Sequence, residues 1–268
     1  VVDGLVGGWY DADLTERGIQ QAHTVAAEMA ARLSPALAAG ERVAVVSSDL
    51  VRCRRTADLV AAALGEGVPV RLDRRLREQS YGAAEGRPVG SCAWRPPAAG
   101  DDALHHHDGV PGSETRGQVA DRVQASVREH LAAAPEHLVL VTHGGAATYV
   151  VTTFVGMAVE TVGPVRFVTP PGSISTLRLD PATGDRRVEA LGDLAVHGVA
   201  VRPGHPVVLG VVGKTPVLGI PGYPVSALVT SELFLRRIIY EYLGISQKVP
   251  VTPGNSTSLA GGQVVEAL

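Results

Sequence analysis

Residues 138–145, LVLVTHGG, constrain this chain more than any other stretch. An apolar run of this length that breaks into Thr142, His143 and two glycines is the pattern of a buried parallel strand ending at a turn. In open α/β sheets, ligands sit at the carboxyl ends of the strands. His143 stands at such an end, and Gly144 and Gly145 let a ligand come close to the backbone. His143 is therefore a catalytic candidate.

The surrounding sequence alternates helix and strand patterns. Leu14 to Leu33 places Ala22, Val25, Ala26, Met29 and Leu33 on one helical face, with Asp13 or Thr15 as cap. Val43 to Ser47 reads as a short buried strand, Asp49 to Leu64 as a helix, and Val68 to Leu72 as another strand. Residues 86–113, rich in Gly, Pro, Asp and His, read as a loop. Glu114 to Ala133 is an amphipathic helix, Leu138 to Thr142 the strand before His143, and Ala146 to Gly156 the helix after it. Ser173 to Leu179 and Arg187 to Leu191 form an antiparallel pair around the turn at 180–184. This order predicts an α/β fold, a mainly parallel sheet with helices on both faces.

Three upstream segments accompany VTHGG. They are GWYDADLTERGIQQ (8–21), SSDLVRCRRTA (47–57) and LREQSYGAAEG (76–86). In this order the four segments resemble the histidine phosphatase, or phosphoglycerate-mutase-like, family over residues 1–195. The resemblance implies transfer of a phosphoryl group to a histidine and then to water. It implies a small phosphorylated substrate and no cofactor for this part. It also implies an opening strand, in the middle of the sheet, that ends in Arg-His-Gly and carries the nucleophilic histidine. No Arg-His-Gly occurs in the 268 residues. The expectation is a chain that lacks its first strand and its nucleophile, and so an inactive phosphatase or a non-catalytic, phosphate-binding pseudo-enzyme.

The transition state of phosphoryl transfer spreads negative charge over the equatorial oxygens, so positioned cations and donors supply most of the catalysis. By resemblance, Arg52 grips the phosphate with its planar fork. His143, protonated, donates to the phosphoryl oxygens. Glu78 protonates the leaving oxygen, a role that needs a carboxyl lifted toward neutrality, with Glu85 as its rival. Ser47 and Ser48 end a strand and are read either as hydrogen-bond donors or, the simpler reading, as helix caps, and Asp13, Thr15 and Gly18 as capping and packing positions. Arg54 and Arg55 are read as solvated. His23, His130 and His137 are expected to be solvated on helix surfaces or ends. His105, His106 and His107 share a polar loop, where three adjacent side chains rarely face one ion, so no metal is expected.

The texture changes near Val196. Two apolar strands, Val207 to Val212 and Pro216 to Ile220, lead through PGYPVS to an apolar helix from Val225 to Leu243. The pattern RPG-x-P, a strand pair, then GIPGYPVSA and a helix, resembles the MoeA-type molybdopterin molybdenumtransferases. Residues 196–268 then form a C-terminal α/β fragment. The resemblance carries Arg202, Gly222 and Ser226 over as a molybdopterin or anion site, which would belong to molybdenum cofactor biosynthesis. The family's GG-x-S-x-G segment is absent and Tyr223 replaces its usual asparagine, so molybdenum insertion is not expected. The 225–243 helix is expected either to pack on the first part of the chain or to self-associate with another copy. The whole reads as two truncated enzymes fused near residue 196.

Composition sets the remaining bounds. A net charge of −3 argues against a general nucleic-acid surface. Cys53 and Cys92 are too few and too isolated for a disulfide framework. No apolar run reaches a membrane span, no leader pattern is visible, and the expected location is the cytoplasm.

Overall fold

A computed structural model of the chain describes residues 4–98, 100–133, 135–194, 208–212 and 215–219. The chain divides into two units, 1–197 and 198–268.

In the first unit the order is α1 (Glu16–Ala38), β1 (Val43–Ser47), α2 (Val51–Leu64), β2 (Val70–Leu72), α3 (Arg116–Ala132), β3 (His137–Val141) and α4 (Gly144–Phe154). β4 (Ser173–Leu179) and β5 (Arg186–Leu194) follow. β1, β2 and β3 make a parallel sheet in the order β2-β1-β3, with Val45 opposite Val70 and Val139. β4 and β5 form a separate antiparallel sheet.

Side chains alternate across a strand, and β3 shows both faces covered. Val139 and Val141 pack with Ala26, Leu33, Ala57 and Val60 of α1 and α2. Leu140 packs instead with Val119, Val123, Val127 and Tyr149 of α3 and α4. The fold is therefore α/β, a parallel sheet with helices on both faces.

Three expectations need correction here. β3 is not buried; every residue along it is half-buried. It is the outer strand of its sheet and is paired, among the described residues, on the β1 side alone. α1 does not stop at Leu33 but runs to Ala38 with Pro35 in its last turns. Proline removes one ladder donor there, and the Ser34 hydroxyl donates to the Ala30 carbonyl at 2.5 Å beside it. His130 is not solvated: it is 4% exposed, and its Nε2 lies 3.1 Å from Asp73 Oδ2.

The loop after β2 is pinned by close backbone packing. Gly82 has φ +52°, and a methyl group there would strike the Pro111 carbonyl and the backbone of Gly112. This contact fastens the segment carrying Glu78 to the loop before α3.

In the second unit the described residues are an antiparallel hairpin, β6 (Val208–Val212) and β7 (Thr215–Gly219). Arg202, Gly222, Ser226 and the 225–243 helix lie outside the described residues. No described helix is long and apolar enough to cross a membrane.

Candidate functional site

β1 and β3 are parallel neighbours, so their carboxyl ends open at one edge of the sheet. The pairing continues one residue beyond β1, where the Ser48 amide donates to the Val141 carbonyl at 2.9 Å. That step sets Ser48 beside His143, with Oγ and Nε2 2.9 Å apart. Ser48 is fully buried and His143 is 9% exposed. Cys53, in the first turn of α2, has its sulfur 3.5 Å from the same Nε2. Of the two readings of Ser48, hydrogen-bonding group at the strand end or cap of α2, the first holds: beyond His143 its hydroxyl meets, among the described residues, only the Leu50 amide, at 3.4 Å. The N-cap position is Leu50, with no side-chain bond. The Asp11 carboxylate caps the helix instead, accepting from the Val51 amide at 2.7 Å.

Burial pulls the His143 imidazole down to about 3, and the Arg52 charge pushes the same way. The ring is therefore neutral near pH 7, not the protonated donor that the resemblance implies. Unfolded, His143 would titrate near its ordinary 6.5; folded, it takes a proton only near 3. Its contribution to stability is thus fully present above about pH 6.5 and is lost as pH falls toward 3. His143→Gln should flatten the pH dependence of the urea unfolding midpoint between about pH 6.5 and 4. An unchanged slope in that window would contradict a buried neutral ring.

The Cys53 thiol is pushed up to about 12 by burial. Only a thiolate attacks well, so this burial works against Cys53 as a nucleophile.

Arg52 lies in the first turn of α2. Its Nη2 donates to the Gly8 carbonyl at 2.7 Å and its Nη1 to the Tyr10 carbonyl at 3.1 Å. A guanidinium has five N–H donors, so these two bonds leave others for an anion. Together with the Asp11 cap, they dock the 8–11 loop onto the start of α2.

Glu78 meets the other helix start. Its carboxylate accepts from the amides of Gly145 at 3.0 Å and Ala146 at 3.1 Å. A helix N-terminus combines free N–H groups with the positive end of the dipole and is a ready anion site; here the Glu78 carboxylate occupies it. The Glu78 carbonyl is held by Trp9 Nε1 and Arg122 Nη2, both at 2.7 Å. Arg77 and Arg122 stack over the Trp9 ring, with guanidinium carbons 5.0 and 5.9 Å from its centre. Arg52 thus stands in the first turn of α2, with its charge felt at the His143 ring, and Glu78 sits on the amides that follow His143 at the start of α4.

Glu85, the rival to Glu78, is engaged elsewhere through one carboxylate oxygen. Its Oε1 accepts from the Trp9 amide, the Ser80 hydroxyl and the Tyr81 amide at 2.8–2.9 Å. It ties the N-terminal loop to the segment after β2. Asp49 is bound by both ends of the Arg77 fork at 2.6–2.7 Å, which holds its carboxyl below the usual range. Thr15 caps α1 through the Gly18 amide, and Arg55 pairs with Asp13 at 2.9 Å.

His105, His106 and His107 fan out to separate partners: Asp102, the Arg95 carbonyl and the Gly109 amide. Among the described residues, no group of three His, Cys, Asp or Glu side chains is placed to hold a metal.

The sequence reading missed Trp9, Asp11 and Arg122, and missed Ser48 and Cys53 as neighbours of His143. Only Asp11 left a signal, as one of two acids in WYDADLT. The others act across separations of 44 to 95 residues, which no local pattern marks.

The profile described as histidine phosphatase superfamily (branch 1) matches residues 1–193. A Salmonella choleraesuis protein named as phosphoglycerate mutase GpmB is 33% identical over 159 residues, 57% of this chain and 67% of that protein. A solved mycobacterial glucosyl-3-phosphoglycerate phosphatase, in complex with inorganic phosphate, is 26% identical with a TM-score of 0.54. That likeness covers 71% of this chain and 92% of the solved one. A protein of Methanocaldococcus jannaschii named for molybdopterin biosynthesis is 46% identical over 54 residues, but the chain spans only 14% of its length.

Proposed function

The chain belongs to the histidine phosphatase superfamily, and on that footing we propose that residues 1–195 bind a phosphomonoester at Arg52, His143 and the start of α4. The single observation that supports this reading is the Glu78 carboxylate seated on the Gly145 and Ala146 amides, just past the buried His143 ring that also feels the Arg52 charge. An incoming phosphate dianion displaces the Glu78 carboxylate from the Gly145 and Ala146 amides. The phosphoryl oxygens then lie between those amides, the Arg52 fork and the His143 ring, where fixed donors stabilise developing charge. A dianion at this distance also favours the protonated imidazole. Glu78, released from the helix start, turns its carboxyl toward the leaving oxygen as proton donor.

The superfamily reaction also needs a histidine that accepts the phosphoryl group. The 268 residues hold no Arg-His-Gly. Among the described residues, no second histidine bonds to Arg52, Glu78 or His143. We therefore expect the 268-residue polypeptide to bind phosphate without turning an ester over. Isothermal titration should show saturable binding of inorganic phosphate. Release of p-nitrophenolate from p-nitrophenyl phosphate should match the blank, in the parent chain and in His143→Ala alike. Steady turnover lost in His143→Ala would show a working catalyst; failure to bind phosphate would remove the reading.

For residues 196–268, the reading as a molybdenum-cofactor biosynthesis fragment rests on the RPG-x-P and GIPGYPVSA pattern, with the chain's 54-residue likeness to a molybdopterin biosynthesis protein beside it. It carries no reaction over to this chain.

A further inference from the structure

Residues 8–11 join the side chain at the start of α2 to the one seated on α4. On one side the Gly8 and Tyr10 carbonyls accept from the Arg52 fork at 2.7 and 3.1 Å. On the other, the Trp9 indole N–H donates to the Glu78 carbonyl at 2.7 Å, and the Trp9 amide donates to Glu85 Oε1 at 2.9 Å. Gly8 is buried in this seam with φ +69°, and a methyl group there would strike the Glu85 carboxylate and the Gln79 carbonyl. The seam leaves Trp9 little freedom.

The indole is also held by groups that are themselves paired. Arg77 and Arg122 lie over its ring, where cation and π face attract. Arg77 is bound through its fork to Asp49. Arg122 is bound to Glu114 by two bonds of 2.8 Å and to the Arg75 and Arg77 carbonyls at 2.9 and 2.6 Å. Arg122 thus serves several acceptors along the segment before Gln79. The Trp9 indole has one donor, and it serves the Glu78 carbonyl.

The Glu78 carboxylate is an internal competitor for the α4 amides. The strength of a tethered ligand depends on its effective concentration, which rises as its backbone is held in place. We propose that Trp9 is a positioning residue whose indole N–H holds the Glu78 backbone where the carboxylate rests on the Gly145 and Ala146 amides, and that Trp9 thereby sets how strongly an incoming oxyanion must compete for the site. Trp9 acts through Glu78 and not on the anion. The proposal rests on the phosphate-site reading above.

The test is a double-variant cycle on the 268-residue chain, read by isothermal titration of inorganic phosphate. Glu78→Ala removes the competitor from the helix start and should bind phosphate about 10-fold or more tightly than the parent. Trp9→Phe keeps a ring beneath the two arginines but loses the N–H. It should bind phosphate about 3- to 10-fold more tightly, the worth of one neutral hydrogen bond. In Trp9→Phe/Glu78→Ala the change at Trp9 should add nothing to Glu78→Ala alone, because no carboxylate remains to be positioned. A tryptophan that only supports the fold would instead lower affinity, and by the same factor in both backgrounds.

Where Trp9→Phe does not fold, Trp94→Phe leaves Trp9 as the sole tryptophan. Exchanging that residue for β-(3-benzothienyl)alanine keeps the two-ring shape and deletes the N–H, and the same cycle is read. An N–H deletion that leaves phosphate affinity within about twofold of its reference, or that changes it equally with and without the Glu78 carboxylate, overturns the positioning role and leaves the phosphate site standing. Failure of every protein in the cycle to bind inorganic phosphate overturns both.

Discussion

Arg52→Gln is expected to weaken inorganic phosphate binding by about 100-fold or more near pH 7. Two charge-assisted hydrogen bonds to an oxyanion, each worth about 1.5–3 kcal/mol, give that size. Arg52→Lys keeps the charge but loses the fork, and should fall between the two. Arg52 also holds the Gly8 and Tyr10 carbonyls, so the melting temperature has to be read beside the affinity. Isothermal titration of the three proteins decides the point. Affinity of Arg52→Gln within about threefold of the parent, in a folded protein, would remove Arg52 from the site.

The largest stability effect is expected at Asp73. This carboxylate is 7% exposed and joins the turn after β2 to α3. It accepts from Arg75 Nη2 at 2.7 Å, from the Ser126 hydroxyl at 2.7 Å and from His130 Nε2 at 3.1 Å. Asp73→Ala leaves Ser126 and His130 buried without their acceptor. Breaking such a buried charged hub costs about 3–5 kcal/mol, a large share of a typical domain's stability. Burial alone would raise the Asp73 carboxyl, but the bonds from Arg75, Ser126 and His130 outweigh it and hold the group well below the usual carboxylate range. With a depressed folded value, the contribution is present above about pH 4 and is lost as pH falls below it. Urea unfolding should therefore show a large loss in Asp73→Ala near pH 7 and a smaller one near pH 3. A loss under about 1 kcal/mol at neutral pH would show that the hub is not under strain when broken.

Much of this fold was legible because its signals are local. Val43–Ser47 and Ser173–Leu179 form as the apolar patterns predict, and the interval Arg116–Ala132 falls inside the expected helix. Thr15 caps α1 through Gly18, three residues on. His143 was legible as the residue where an apolar strand ends. What stayed hidden depends on pairings between distant segments. Whether Ser48 caps its own helix or faces His143 is settled by the register of β1 with β3. His130 looked like a polar residue late in a helix, and nothing near it in sequence announces Asp73. Glu78 and Glu85 share one motif, and only their three-dimensional partners part them. The half-burial of β3 follows from sheet order, which an apolar run does not encode.

The central claim is that Arg52, His143 and the first amides of α4 form one oxyanion site that Glu78 fills until phosphate arrives. A crystal structure of the 268-residue chain grown or soaked with tungstate tests it most directly. The account predicts tungstate bonded to the Arg52 guanidinium, the His143 ring and the Gly145 amide, with the Glu78 carboxylate moved off the helix start. Tungstate bound elsewhere, with Glu78 still on the Gly145 and Ala146 amides, would contradict it.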